Sequence, residues 1–342
     1  MLQIANTILN AYDLGEVKHI DPITVGLIHQ TYRIDTIPSG HPQGDAPTRS
    51  QFILQRLHPL LGTKEIGEDF LAVTRELEHA DFPAPRAILN RDGQILTHEN
   101  KFAWRMQTFI AGKTFNTVQN ATMALTAGEL YGKFHKALSD FKYEFKTEVR
   151  LHNTKAEFEK LQTAINSAKV DLLEEVKKEV DFISTELPTL YLPDDLPKAV
   201  IHGDPKISNI LFSEDHRAIA LIDLDTCNRD SILVDIGDAF RSWCGKEEDD
   251  PNNQFRKEIF DAGWAGYKKG AGDLLTEREI NLVPQAIGCI TLELAARFLA
   301  DYFNDNYFGW DSTRYATRRD HNLARCRGQI AEYKDMQDKI SR

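Results

Sequence analysis

The stretch His202-Gly203-Asp204-Pro205-Lys206-Ile207-Ser208-Asn209, followed by Asp223-Leu224-Asp225, decides how this chain is read. An Asp, an Asn five residues on, and a second Asp behind a short apolar run form a set of one base and two hard oxygen ligands. Phosphoryl transfer asks little covalent help of a protein. It needs an attacking hydroxyl aligned and the phosphate charge neutralised. Asp204 suits the first task, and Asn209 and Asp223 suit the second. Lys206, two residues past Asp204, is placed to offset charge on the group in transfer.

The flanking residues support this grouping. Residues 196–201 are an extended apolar run that leads into His202. Ile207, Ile210, Leu211 and Phe212 predict a short strand, residues 213–217 a polar turn, and residues 218–222 a second strand that delivers Asp223. Two short strands joined by a turn make a hairpin, which brings Asn209 and Asp223 to one cation site. The competing reading is a polar loop between core strands, in which Asp and Asn only shape turns. Three such residues at matching spacing favour the chemical reading.

A chain of 342 residues is expected to form two lobes or domains. Its 42% hydrophobic and 27% charged residues are an ordinary globular balance. A formal net charge of -11 argues against a nucleic-acid partner. Four scattered cysteines (Cys227, Cys244, Cys289, Cys326) suit free thiols in a reducing, cytoplasmic setting. No signal peptide and no apolar run of about 18 residues stand out, so no membrane role is expected.

Along the chain, residues 2–14 predict a short helix. Residues 17–25 and 31–37 predict strands around Gly26-Leu27-Ile28-His29-Gln30. Gly26 there either lets the backbone approach a phosphate or serves turn geometry alone. Residues 38–50 form a loop and 51–57 a strand. Ile66, Phe70, Val73 and Leu77 stand at helical spacing within 65–80, before Pro83 and Pro85. Residues 88–97 and 101–110 predict two further strands. Residues 1–110 therefore predict a small sheet with one helix, with a hinge at 107–112. Residues 111–342 predict a mostly helical lobe with the hairpin at about 198–225 inserted. Helices are predicted over 122–141, 155–187, 255–269, 276–302 (kinked at Pro284) and 315–340.

The segment 202–209 with Ile222-Asp223-Leu224-Asp225 resembles the aminoglycoside phosphotransferase and choline kinase superfamily of small-molecule kinases. Within it the chain is most similar to the N-acetylhexosamine 1-kinases. Phe52-Ile53-Leu54-Gln55-Arg56-Leu57, Leu151-His152-Asn153-Thr154, residues 235–241, 296–302, 305–308 and 322–325 carry that similarity. The resemblance implies an α+β, two-lobed, protein-kinase-like fold: a small antiparallel-sheet lobe and a larger helical one. It implies ATP and Mg2+, Asp204 as catalytic base, and Asn209 and Asp223 as magnesium ligands. It places Gln107 and Phe109 of the hinge with Gly26 at the nucleotide. Asp225 is implied to support the metal or face a sugar, with a turn carboxylate as the alternative. Arg297 and Tyr307 are implied sugar contacts, with helix packing and an ion pair to Asp301 as the alternative. Asp235 and Asp238 are implied to cap a helix and steady the catalytic loop.

Three departures from the protein-kinase pattern matter. No GxGxxG loop is present. Gln55-Arg56 stands where a phosphate-binding Lys is expected, and strand alternation leaves open which of the two faces inward. Arg56 would grip phosphate as a fork rather than a point charge. Glu68 is the implied helix partner, with Glu65 and Glu76 as rivals. No Ala-Pro-Glu follows Asp223, so a protein substrate is not expected. The expected activity is ATP-dependent phosphorylation of a small molecule, at the anomeric hydroxyl of an N-acetylhexosamine. Alternatives are homoserine, an aminoglycoside, choline or ethanolamine, or a nucleotide-binding module without catalysis. A monomer or homodimer is expected.

Overall fold

Alternating apolar residues in the first hundred positions build one antiparallel sheet with two different faces. The computed structural model describes residues 7–23, 29–37, 50–147 and 149–340. Its strands are β1 (Glu16–Ile23), β2 (Gln30–Ile37), β3 (Ser50–Arg56), β4 (Ala87–Ile88), β5 (Thr97–Glu99) and β6 (Phe102–Thr108). They lie in the order β1-β2-β3-β6-β4, with β5 paired to β6. Ile34, Leu54, Trp104 and Met106 share one face and bury against Ile8, Leu9, Tyr12 and Leu14. The other face carries Gln55 opposite Arg105 and Ile53 opposite Gln107. Against it lies helix α1 (Lys64–His79), whose buried face is Phe70, Val73 and Leu77. Thr63 caps α1 through the Ile66 amide at 3.3 Å. Residues 88–97 do not form the single strand expected of them. Asn90 Oδ1 accepts the amides of Asp92 and Gln94, and Gly93 adopts φ +72, so a turn splits the run.

The rest of the chain is helical around two short ribbons. The helices are α2 (Ala121–Ala137), α3 (Thr154–Ser167), α4 (Val170–Glu175), α5 (Lys177–Glu186), α6 (Ile232–Cys244), α7 (Lys257–Ala271), α8 (Glu277–Asn304) and α9 (Arg318–Ile340). Residues 155–187 make three helices rather than one, because Ala168 and Lys169 are extended and Val176 leaves the helical conformation at φ -115, ψ 18. Helix α6 escaped the periodicity reading, although Ile232, Leu233, Ile236, Phe240 and Trp243 are all buried on it. Helix α8 runs through Pro284. It is long and apolar enough to cross a membrane, yet 78% of its most apolar stretch is buried inside the protein. It is therefore the central core helix, which explains its composition. The ribbons are β7 (Ala199–Ile201) with β10 (Asn228–Asp230), and β8 (Ile210–Phe212) with β9 (Ala218–Leu221).

Two packing devices fix the helices behind the ribbons. Helices α2 and α7 meet backbone to backbone. A Cβ at Gly266 would lie 1.9 Å from the Leu125 carbonyl oxygen, and one at Gly128 2.0 Å from that of Gly263. Only hydrogen fits between them. Between α6 and α8, His152 sets Nδ1 2.9 Å from Glu293 and Nε2 3.4 Å from Asp238. Burial opposes its charge, but the two carboxylates outweigh burial and hold its pKa up at about 10. His152 is thus an imidazolium that joins two helices.

Gly266→Ala should lower the unfolding free energy by about 2–3 kcal/mol, because neither backbone has room to retreat. Gly309→Ala, with nothing within 4 Å of the added carbon, should change it by less than about 0.5 kcal/mol. Urea unfolding of both variants measures the contrast. The folded pKa of His152 lies above its unfolded value of 6.5, so its contribution is complete below about pH 6.5 and is lost as pH rises through about 10. Over that window wild-type stability should fall more steeply with pH than that of His152→Gln.

Candidate active site

The loop after β7 is held in place before any ligand arrives. Gly203 has φ +80, and a Cβ there would sit 2.5 Å from the Thr226 carbonyl oxygen. Only glycine lets this loop rest on the turn formed by residues 224–226. The amides of His202 and Gly203 donate to the two oxygens of Asp235, at 2.6 and 2.8 Å. Asp235 also accepts from His135 Nε2 of α2 at 3.0 Å, and His135 Nδ1 takes the Tyr267 hydroxyl of α7 at 2.7 Å. Trp243 Nε1 donates to the Pro205 carbonyl at 2.9 Å. His202 Nε2 donates to the Ile222 carbonyl at 3.0 Å, which joins the loop to the end of β9.

Three of the expected residues meet on this platform. Asn209 Nδ2 donates to the Asp204 backbone carbonyl at 2.8 Å and to Asp204 Oδ2 at 3.1 Å. That orientation leaves the amide oxygen of Asn209 for another partner. The Ile222 amide donates to the Asn209 carbonyl at 3.0 Å, so Asn209 and Asp223 lie side by side at the strand ends. Asp223 takes the left-handed conformation, φ 65 and ψ 54, at the entry to the 224–226 turn. Burial, then the carboxylates of Asp225 and Asp204, push its pKa up. Among the described residues no side chain donates a hydrogen bond to it. A half-buried carboxylate beside an amide, with negative charge still to be neutralised, suits a hard divalent cation. Lys206 Nζ lies 2.6 Å from Asp204 Oδ2. Burial disfavours its charge, yet Asp204 outweighs burial and raises its pKa, so it stays an ammonium.

The other expected residues fare differently. Gly26 lies outside the described residues. Arg56 faces the outer side of the sheet, opposite Trp104, with its guanidinium 4.1 Å from the Phe102 ring centre. Strand alternation therefore turns Gln55 inward instead, and the expectation for Arg56 is corrected. Glu68 points away from the sheet and pairs with Lys146 and Lys64. Among the described residues no glutamate of α1 bonds Gln55 or Arg105, so the implied pairing of Glu68 is also corrected. Asp225 has no oxygen free for a sugar. Arg105 grips both of its oxygens, with Nη2 at 2.9 Å, and His29 Nε2 lies 3.2 Å away. Gln107 is buried on the inner face of β6. Phe109 follows, tied to β3 through its amide and the Gln51 carbonyl at 3.2 Å.

Arg297 reaches the Leu151 carbonyl at 3.3 Å and lies 4.0 Å from Glu157. Asp301 is not its partner. That carboxylate instead accepts the amides of Asn306, Tyr307 and Phe308. Arg297 and Tyr307 nevertheless flank one ring: Phe308 lies 5.7 Å from the Arg297 guanidinium and 4.8 Å from the Tyr307 ring, and Tyr307 is 70% exposed. Asp235 steadies the loop as expected, but the cap of α6 is Ser231, which accepts the Leu233 amide at 3.2 Å. Arg105 and His29 were missed. The only sign of Arg105 in the sequence is one cation inside the apolar run Phe102-Ala103-Trp104-Arg105-Met106. Nothing in the sequence marks His29.

Comparisons with known proteins agree with this geometry. The model of the phosphotransferase enzyme family matches residues 19–269. A homoserine kinase of Zymomonas mobilis is 30% identical over 239 residues, covering 69% of this chain and 68% of its own. A homoserine kinase of Rhodospirillum rubrum is 24% identical over 71% of this chain and 70% of its own. Among solved structures, an aminoglycoside phosphotransferase from Alicyclobacillus acidocaldarius superposes with TM-score 0.64 at 14% identity, over 98% of this chain and 96% of its own. Choline kinase from Cryptosporidium parvum superposes with TM-score 0.58 at 14% identity, over 100% and 96%. These structural likenesses establish the two-lobed, kinase-like fold. The family match and the sequence relatives go further: this chain belongs to the phosphotransferase enzyme family, and it is an ATP-dependent kinase with a hydroxyl group as acceptor.

Proposed function

We propose that the chain transfers the γ-phosphoryl group of ATP to the anomeric hydroxyl of an N-acetylhexosamine, with Asp204 as the base. The observation that carries the chemistry is the meeting of Asp204, Asn209 and Asp223 on a loop whose backbone amides are held by Asp235. Asp204 orients the acceptor hydroxyl and takes its proton as the new oxygen–phosphorus bond forms and the bond from the γ-phosphorus to the bridging oxygen breaks, with ADP as leaving group. Lys206 brings positive charge beside that carboxylate and offsets the charge of the group in transfer. Asn209, through its amide oxygen, and Asp223 hold the divalent cation, with Mg2+ the physiological choice. When bound, that ion neutralises the phosphate oxygens. Gln107 and Phe109 border the nucleotide where β6 leaves the sheet.

The sugar assignment rests on the resemblance of the segments around Arg297 and Tyr307. It is supported by the exposed aromatic and the guanidinium that flank Phe308 there, groups suited to a sugar face and its hydroxyls. A second reading is homoserine as acceptor. The named sequence relatives favour it, because they are homoserine kinases.

A coupled ADP-release assay with N-acetylglucosamine, N-acetylgalactosamine, plain hexoses, homoserine, choline and an aminoglycoside decides between them. Turnover with an N-acetylhexosamine is expected. Turnover with homoserine alone would transfer the assignment, and none with any acceptor would reject the reading. Asp204→Asn should lower kcat by about 10³-fold while nucleotide affinity, followed by calorimetry, stays at the wild-type level.

A further inference from the structure

Arg105 is 1% exposed, and both terminal nitrogens of its fork are committed, while its buried Nε has no partner among the described residues. Nη1 and Nη2 take the two oxygens of Asp225, and Nη2 also donates to Gln55 Oε1 at 2.8 Å. The guanidinium carbon stands 3.7 Å from the centre of the Phe70 ring on α1. His29 completes the set. Its Nδ1 accepts the His58 amide at 3.1 Å, so Nε2 carries the proton and donates to Asp225. The ligand atoms of His29, Asp223 and Asp225 lie within 4.8 Å of one another, which invites a metal between them. The hydrogen bonds argue otherwise. Both His29 nitrogens and both Asp225 oxygens are already engaged.

Asp225 sits two residues past Asp223 in the 3-10 turn that Asp223 caps in the left-handed conformation. Strands β2, β3 and β6 and helix α1 therefore converge on the turn that carries the metal carboxylate. In protein kinases the ion pair that sets the sheet against the rest of the enzyme runs from a strand lysine to a helix glutamate. Here both ends have moved. Gln55 stands at the lysine position, Phe70 of the helix packs against the Arg105 guanidinium, the cation comes from the neighbouring strand, and the anion comes from the metal turn itself.

We infer that Arg105 is a positioning residue for phosphoryl transfer: through Asp225 it sets the Asp223 carboxylate at its working angle and joins the sheet to the catalytic hairpin. This rests on the proposed metal-nucleotide chemistry. Arg105 is assigned no phosphate contact, because it is buried and both its terminal nitrogens are turned to Asp225 and Gln55. His29 braces the same carboxylate from the start of β2. Replacing a group that orients a metal ligand from behind weakens metal binding by roughly 10–100-fold.

The test uses Mn2+ as probe, titrated with AMP-PNP present and followed by electron paramagnetic resonance. Arg105→Met alone leaves Asp225 buried and unpaired and risks unfolding. The informative variant is therefore Arg105→Met/Asp225→Asn, which removes both charges, with Arg105→Lys as the conservative partner. The double variant is expected to keep a cooperative thermal transition yet bind Mn2+ at least tenfold more weakly. Arg105→Lys, with charge but no fork, is expected to fall between it and wild type. A folded double variant that binds Mn2+ within twofold of wild type overturns the inference and reduces Arg105 to a packing role. If wild type binds no Mn2+–AMP-PNP, the proposed function falls and this positioning role falls with it. The two failures differ in which protein shows them.

Discussion

One carboxylate holds the reacting loop in shape. Asp235 accepts two consecutive backbone amides, those of His202 and Gly203, and a third hydrogen bond from His135. The loop that presents Asp204 has no regular secondary structure of its own, so its amides would otherwise be buried without partners. The anchor works only if α6 and α2 keep their distance. That distance follows from the contact of α2 with α7, where glycines let the two backbones touch. A chain of close fits thus runs from a set of glycines, through Tyr267 and His135, to the loop that carries Asp204.

The acidic residues near this loop are chemically alike and differ only in their surroundings. Asp235 is satisfied by amides and an imidazole. Asp238 is paired with Arg241 and His152. Asp225 is gripped by Arg105 and His29. Asp204 holds Lys206 and Asn209. Asp223 alone is pressed by other carboxylates with no donor among the described residues, and its raised pKa records that imbalance. Environment, not residue type, separates the proposed metal carboxylate from the carboxylates around it.

This distinction marks the limit of what the sequence could say. Asp204, Asn209 and Asp223 were legible because one hairpin brings them together, so spacing along the chain is nearly spacing in space. Residues 51–57 and 101–110 were legible as strands from their apolar character, the second of them forming over Phe102–Thr108. Which face each residue takes was not. Gln55 and Arg56 are adjacent, and the choice between them depends on the pairing of β3 with β6. Glu68 failed for a related reason: helical spacing gives the buried stripe of α1 but not its rotation against the sheet. Arg105 and Asp225 are 120 residues apart, and no local pattern announces a pair so distant. The turn at Asn90 and the break at Ala168 are small local events that periodicity smooths over.

The segment after α8 shows how a fold can fix a path without fixing a surface. Asp301 gathers the amides of Asn306, Tyr307 and Phe308, and it touches only their backbone. The course of the chain there is set by peptide groups that every residue except proline possesses. The exposed side chains of Asn306 and Tyr307 are thus released from shaping the loop, whereas Phe308 still sets its ring 4.6 Å from that of Phe298. Such an arrangement permits the exposed positions beside Arg297 to be rewritten one residue at a time while the backbone beneath keeps its form.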